Sequence, residues 1–256
     1  MILLAIQTKG GVGKSTISQQ VLAPYFLAKD EPATLIEIDD ENLDSAYLHD
    51  SLVKAEQLPI GSGLTADRAI ESLMARVNEN LVVDIGGNKT ATNFIESAGR
   101  MGFFSFVDVV VIPISAPGQD EINALRTAQL IKDVAPETKI VIAVTRQMVR
   151  SDSEFSDVFT RYFNADELKL TTGHICYFPQ FMGLIHSRQL GKTIFEVAAE
   201  RDEVLGTLTE EMVAASKAGK KERALNFSRM RASVHESRDI LPYIENCHRV
   251  IDAAMS

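Results

Sequence analysis

The stretch MILLAIQTKGGVGKST at the start of the chain bounds the fold more tightly than any other feature. Residues 1–7 form a short, continuous apolar run. Gly10, Gly11 and Gly13 follow, and a helix-forming segment begins at once. Continuous rather than alternating apolarity is how a strand reads when both of its faces are covered. Strand, glycine turn and helix in that order open a right-handed βαβ unit.

The same rhythm continues. Residues 14–29 suit a helix with Ile17, Val21, Leu22 and Phe26 near one face, and Pro24 should kink it. Residues 32–39 read as a second strand. Residues 64–79 have helical spacing, with Thr65 as N-cap and Arg68 following. Residues 80–88 read as a third strand ending in a glycine turn, 108–115 as a fourth, and 118–135 as a helix after it. Residues 138–146 make a fifth strand and 174–180 a sixth, stopped by Pro179. The implied fold is α/β, a doubly wound, mostly parallel sheet. From about residue 196 onward strand signals vanish. The expected organisation is one α/β body over 1–200 and a C-terminal helical extension over 201–256 packed on the same domain.

Composition narrows the function classes. A net charge of −9 argues against a surface coated with nucleic-acid-binding charge, although a local basic patch acts locally within a screening length of about 10 Å. Cys176 and Cys247 form no CxxC or Cys/His cluster, which argues against zinc and for two buried thiols in a reducing compartment. No apolar run is long enough for a leader or a membrane span, so a cytoplasmic protein is expected.

Gly10, Gly11, Val12 and Gly13 can turn backbone N–H groups toward one point, and the following helix adds its positive end. Lys14 should reach the β- and γ-phosphates of a nucleotide, Ser15 should place its hydroxyl on Mg²⁺, and Thr16 should lie near the α-phosphate. The usual pattern has a glycine where this chain has Thr8, so a rigid scan misses the site. Asp84 closes the apolar run LVVD as a magnesium-holding strand-end carboxylate should, and Asp39 ends the second strand.

KGGVGKST resembles the deviant glycine-rich loop of the ParA/MinD superfamily of ATPases. That resemblance implies ATP/ADP and Mg²⁺ as cofactors. It also implies a homodimer in the ATP-bound state, in which Lys9 reaches across to the phosphates held by the partner while Lys14 serves its own chain. It assigns Asp39 to a switch that positions water or Mg²⁺, alongside Lys9 and Lys14 as catalytic residues. Gly87 is assigned to the γ-phosphate, and Arg146, Pro179 and Gln180 to the base. The chain departs from the family's D-x-D-P pattern with Glu37-Ile38-Asp39-Asp40. Asp40, Glu41 and Asp44 read as a solvated acidic loop.

No helix-turn-helix region precedes the first strand, which matches the small ParA type, and the cysteines do not suit the reductase-like relatives. The run 217–231 carries Lys217, Lys220, Lys221, Arg223, Arg229 and Arg231 against Glu222. It can track DNA phosphates, form a solvated helix face, or pair with the acidic stretch 198–212 in a salt-bridged hairpin. The final segment is a poor match to a membrane-surface helix. The resemblance implies an ATP-driven partitioning switch with nonspecific DNA binding, nucleoid association and a stimulating partner such as a centromere-binding adaptor. The alternatives are positioning of conjugation or envelope machinery, or a nonhydrolysing adaptor.

Overall fold

Among the described residues there are seven strands: β1 (Ile2–Ala5), β2 (Thr34–Ile38), β3 (Lys54–Gln57), β4 (Leu81–Ile85), β5 (Val109–Ile114), β6 (Ile140–Thr145) and β7 (His174–Phe178). In the computed structural model, which describes residues 1–39, 44–58, 65–146, 152–159 and 173–256, they form one parallel sheet in the order β3-β2-β4-β1-β5-β6-β7. Each expected strand is there with trimmed ends. The edge strand β3 is an addition. Its sequence KAEQ is polar and half-exposed, so it carries none of the apolar signal that marks the others. Among the described residues its one sheet neighbour is β2.

Side chains along β1 alternate between two cores, as a pleated strand dictates. Ile2, Leu4 and Ile6 enter one, Leu3 and Ala5 the other. The first core is covered by α3 (Ala66–Met74), α4 (Asn88–Met101) and α5 (Gln119–Val134). Thr65 caps α3 through the Arg68 N–H, as its sequence predicts. Residue 64, like Asp40 and Glu41, lies outside the described residues. Helix α4 has no counterpart in the sequence-based expectation. Its first turns are polar, NKTATN, but Ala91, Phe94, Ile95 and Ala98 are buried at helical spacing, a signal the sequence did contain.

The second core lies under the segment that follows the glycine turn. That segment begins as α1 (Lys14–Ile17), widens into a π-helical turn over Ser18–Leu22, and resumes as α2 (Ala23–Leu27). Pro24 explains the widening. It has no N–H to give to the preceding turn, and the Ala23 N–H bonds back to the carbonyl of Ser18, five residues earlier. The expected kink is therefore taken up as a local change of pitch. A further helix, α6 (Asp152–Phe159), stacks Phe155 on Phe159 at 5.0 Å.

After β7 come α7 (Gly183–Gln189), α8 (Ile194–Ala199), α9 (Arg201–Lys217), α10 (Lys221–Glu236) and α11 (Leu241–Met255). Helices α9 and α10 fold back on each other through a short turn with Gly219 at φ 72°, and Arg223 meets Glu211 at 3.0 Å. Helix α11 packs on β5, β6 and β7. Its apolar stripe, Ile244, Cys247, Ile251 and Ala254, is spent on the second core. Both cysteines are free and buried, Cys176 on β7 and Cys247 on α11. A hydrogen bond between the two thiols, and then burial, push the Cys247 thiol well up. Among the described residues no helix is long and apolar enough to cross a membrane.

If α11 is an integral wall of the core, Ile251→Ala should lower the unfolding free energy by about 2–5 kcal/mol, the usual cost of truncating a buried isoleucine. Urea unfolding followed by circular dichroism measures this. A loss under about 0.5 kcal/mol would mean the helix is peripheral.

Candidate nucleotide-binding site

Several ties fix the loop between β1 and α1. Buried Gln7 donates to the carbonyl of Pro113 at 3.4 Å and accepts from Thr127 Oγ1 at 2.8 Å. The Thr8 N–H reaches Thr127 Oγ1 at 3.2 Å. Thr145 Oγ1, at the end of β6, lies 2.8 Å from the carbonyl oxygen of Val12. This last approach explains Gly13. Its φ is +96°, and a Cβ there would sit 2.8 Å from Thr145 Oγ1. Arg146, at φ 59°, donates from Nη1 to the carbonyl of Gly11 at 2.9 Å.

The end of β4 supplies the other wall. The Asn88 N–H bonds the carbonyl of Thr8 at 2.7 Å, drawing the GGN turn against the loop. A Cβ on Gly87 would stand 3.1 Å from Gly10 N and 3.3 Å from Lys14 Nζ, so any larger residue would have to push the two segments slightly apart. Helix α4 begins at this point.

A cavity of about 800 Å³ opens between these walls. Gly10, Gly11, Gly13, Lys14, Ser15 and Thr16 line its loop side. Asp39, Asp84, Gly87 and Arg146 line the rest of the predicted set. Lys9, Val12, Pro179 and Gln180 do not line it. Val12 is buried and tied by its carbonyl, Pro179 is buried, and Gln180 faces outward. Glu37, read in the sequence as a departure from the family pattern, and Asp44, read as part of a solvated acidic loop, also line it, as do residues that sequence reasoning did not single out: Gln20, Asn88 and Lys89, and from α7 Leu184, Ile185 and Arg188. The pattern of α7 gave no cue to its position, because the chain crosses from β7 over the helix that follows the loop. The Ile194 N–H, just beyond α7, reaches Gln20 Oε1 at 2.8 Å.

The electrostatics are those of a site built for ions. Lys14 is buried and donates to the carbonyl of Lys9 at 3.2 Å. Burial pulls its pKa down, with Asp84 and Asp39 opposing the shift. Asp84 is 5 % exposed, and burial pushes its carboxyl up to about 7 against a hydrogen bond from Ser15. Glu37 faces Asp84 across the β2–β4 register and raises it further. Glu37 is itself raised by burial and accepts from Ser45 Oγ at 2.7 Å and Gln19 Nε2 at 3.3 Å. Asp39 lies over Gly86, where a Cβ would be 2.9 Å from its Cγ.

A serine hydroxyl and a buried, under-compensated carboxylate are hard oxygen donors, which fits a magnesium ion. Among the described residues no group of three or more His, Cys, Asp or Glu could hold a metal by itself. Ser15 and Asp84 would therefore share such an ion with ligand oxygens and water, the manner in which magnesium is usually bound.

Backbone donors at a strand–helix turn, with Lys14, Ser15 and Asp84 around one cavity at the carboxyl ends of a parallel sheet, define a P-loop nucleotide-binding fold. Within that class, the fold is the one shared by ParA/MinD-type proteins. Across its whole length the chain is similar to apo McdA of Cyanthece, with a TM-score of 0.54, 12% identity and coverage of 100% of this chain and 99% of that one. It is also similar to the MinD cell division protein of Aquifex aeolicus, with a TM-score of 0.51, 16% identity and coverage of 78% and 89%. No protein-family model matches the sequence, and no curated protein matches it significantly. At such low identity the likeness establishes the shared fold.

Asp84 gives a pH prediction. Its native carboxyl keeps a proton to about pH 7, whereas an ordinary aspartate releases it near 3.8. Between those values the native state binds more protons than the unfolded one, so this group's contribution to stability falls as pH rises. Asp84→Asn should therefore raise the melting temperature of nucleotide-free protein in EDTA. The gain over the parent should be small at pH 4, grow toward pH 7 and then level off. A gain independent of pH would contradict the assignment.

Proposed function

We propose that the chain is an ATP-dependent dimerising switch of the partitioning or positioning kind, which hydrolyses ATP to ADP and phosphate. The observation that carries this reading is the division of labour between the two lysines. Lys14, the first residue of α1, lines the cavity, and Lys9, five residues earlier on the glycine loop, does not. A cation kept out of its own cavity suits a role toward a second copy.

The loop N–H groups and Lys14 would hold the phosphate chain, with the donors fixed in advance by the ties to Thr127 and Thr145. Ser15 and Asp84 would hold Mg²⁺, which when bound would neutralise phosphate charge. Asp39, set over Gly86, is the carboxylate assigned to the attacking water. Lys9 from the partner would add charge stabilisation only when two copies close, as an arginine finger does. Arg146 would flank the base.

Nonspecific DNA is the partner proposed for the closed pair. Lys217, Lys220, Lys221, Arg223 and Arg229 are exposed around the turn of the α9–α10 hairpin. Such cations neutralise phosphates without reading sequence. A partner protein that stimulates slow turnover belongs to the same reading. The fold shared with McdA and the MinD cell division protein supports a positioning role in general. The departure at Glu37 keeps one rival, a nonhydrolysing adaptor in which bound nucleotide only fixes a shape.

Single-turnover hydrolysis and gel retardation test this. Lys14→Ala should abolish binding of a fluorescent ATP analogue. Lys9→Gln should spare that binding while slowing hydrolysis by about 10³-fold or more, the scale of losing an arginine finger. DNA retardation should require ATP and fall steeply with salt. Parent protein that holds ATP unhydrolysed with or without DNA would favour the adaptor. Loss of nucleotide binding in Lys9→Gln would overturn the assignment in trans.

A further inference from the structure

Within one chain the Lys9 ammonium is ion-paired with Asp120, at the start of α5. The two partners differ in kind. The Asp120 side chain is 3 % exposed, the Lys9 side chain 40 %. Asp120 is built into the first turn of α5. One carboxylate oxygen takes the Ser115 N–H at 3.2 Å and the Ser115 hydroxyl at 2.6 Å, and the other takes Lys9. Burial alone would push this carboxyl up; the hydrogen bonds from Lys9 and Ser115 outweigh it and hold it below the usual range. The lysine backbone is equally placed, because the neighbouring Thr8 is tied to Thr127 on α5 and to Asn88 at the start of α4. The acceptor is fixed, and the cation is the half that solvent reaches.

We propose that Asp120 is a positioning residue: it parks Lys9 in the single chain, and a second copy must draw the lysine off before the two can close over nucleotide. This rests on the two-copy reading of Lys9 given above. One ammonium cannot serve a buried carboxylate and a partner's phosphates equally, so the internal pair subtracts from the drive to close. Ser115 makes the exchange feasible. When Lys9 leaves, one carboxylate oxygen keeps its two donors from Ser115, so the charge stays partly compensated. The strength of the Lys9–Asp120 pair then sets the protein concentration at which nucleotide joins two copies.

The test is sedimentation of the full chain with magnesium and AMPPNP, with fluorescent ATP titration alongside to separate nucleotide uptake from closing. Asp120→Asn should bring dimerisation to about tenfold lower protein concentration, and Asp120→Glu should return it toward the parent value. In a Lys9→Gln background, Asp120→Asn should change nothing, because no cation remains to release. Ser115→Ala, which leaves Asp120 more dependent on Lys9, should shift dimerisation the other way. Asp120→Asn that dimerises no better than the parent overturns the proposal, as does an equal effect with Lys9 absent. A parent protein that binds the fluorescent nucleotide yet stays single with AMPPNP sinks the two-copy reading itself, a result distinct from either of these.

Discussion

The site depends on where β1 ends. That strand is hydrogen-bonded on both sides, to β4 and to β5, and its residues are wholly buried. The chain therefore leaves the sheet at one fixed point, between the carboxylate at the end of β4 and the threonine at the end of β6. Asp84 belongs to the flanking strand β4 and Thr145 to β6, one strand beyond β5, so the order and register of the sheet place the cradle, the acid wall and the tether together. A glycine loop with no such anchors would have to be ordered by its ligand. Here the Thr127, Thr145 and Asn88 contacts have already done that ordering, which is the advantage of a preorganised binding site.

The anchored loop makes the surrounding electrostatics unequal. Asp84 and Glu37 face each other across two strands in a buried place, and Lys14 is the buried cation set among the acids. Charged carboxylates in low-dielectric surroundings are unfavourable without a counter-charge, and proton uptake is one relief. A divalent ion arriving with its own anionic ligand is another. Clusters of carboxylates raised by burial and by one another are a known mark of functional clefts, and this one coincides with the loop.

Much of this was legible in the sequence because it rested on local pattern. The buried strands read as apolar runs, and KGGVGKST has a meaning set by backbone geometry alone. Asp84 was marked by its place at a strand end. What escaped was set by distant contacts. Strand β3 is a strand only because β2 offers an edge. Helix α4 is the exception: its apolar spacing was in the sequence but masked by a first turn of polar residues, and Phe94 meets Phe103 edge to face at 6.0 Å. The part of α7 in lining the cavity follows from the crossing of the chain over Gln20, which no spacing rule encodes. The basic run at 217–231 was open to three readings in sequence; the fold shows it as one arm of a hairpin with an acidic arm beside it.

The wide turn at Ser18–Leu22 has a consequence beyond Pro24. Gln19 and Gln20 are adjacent, and in a tighter coil their amides would diverge. Here both reach the Tyr47 hydroxyl, Gln20 donating at 2.7 Å and Gln19 accepting at 3.1 Å. Gln19 also donates to Glu37, and Gln20 accepts from the backbone just past α7. Such insertions are frequent at functional sites. This one makes two neighbouring amides a splice joining the acidic strand end, the segment around residue 47 and the crossing chain. Losing a single residue from that coil would leave the loop's own chemistry intact and yet unfasten the far rim of the cavity.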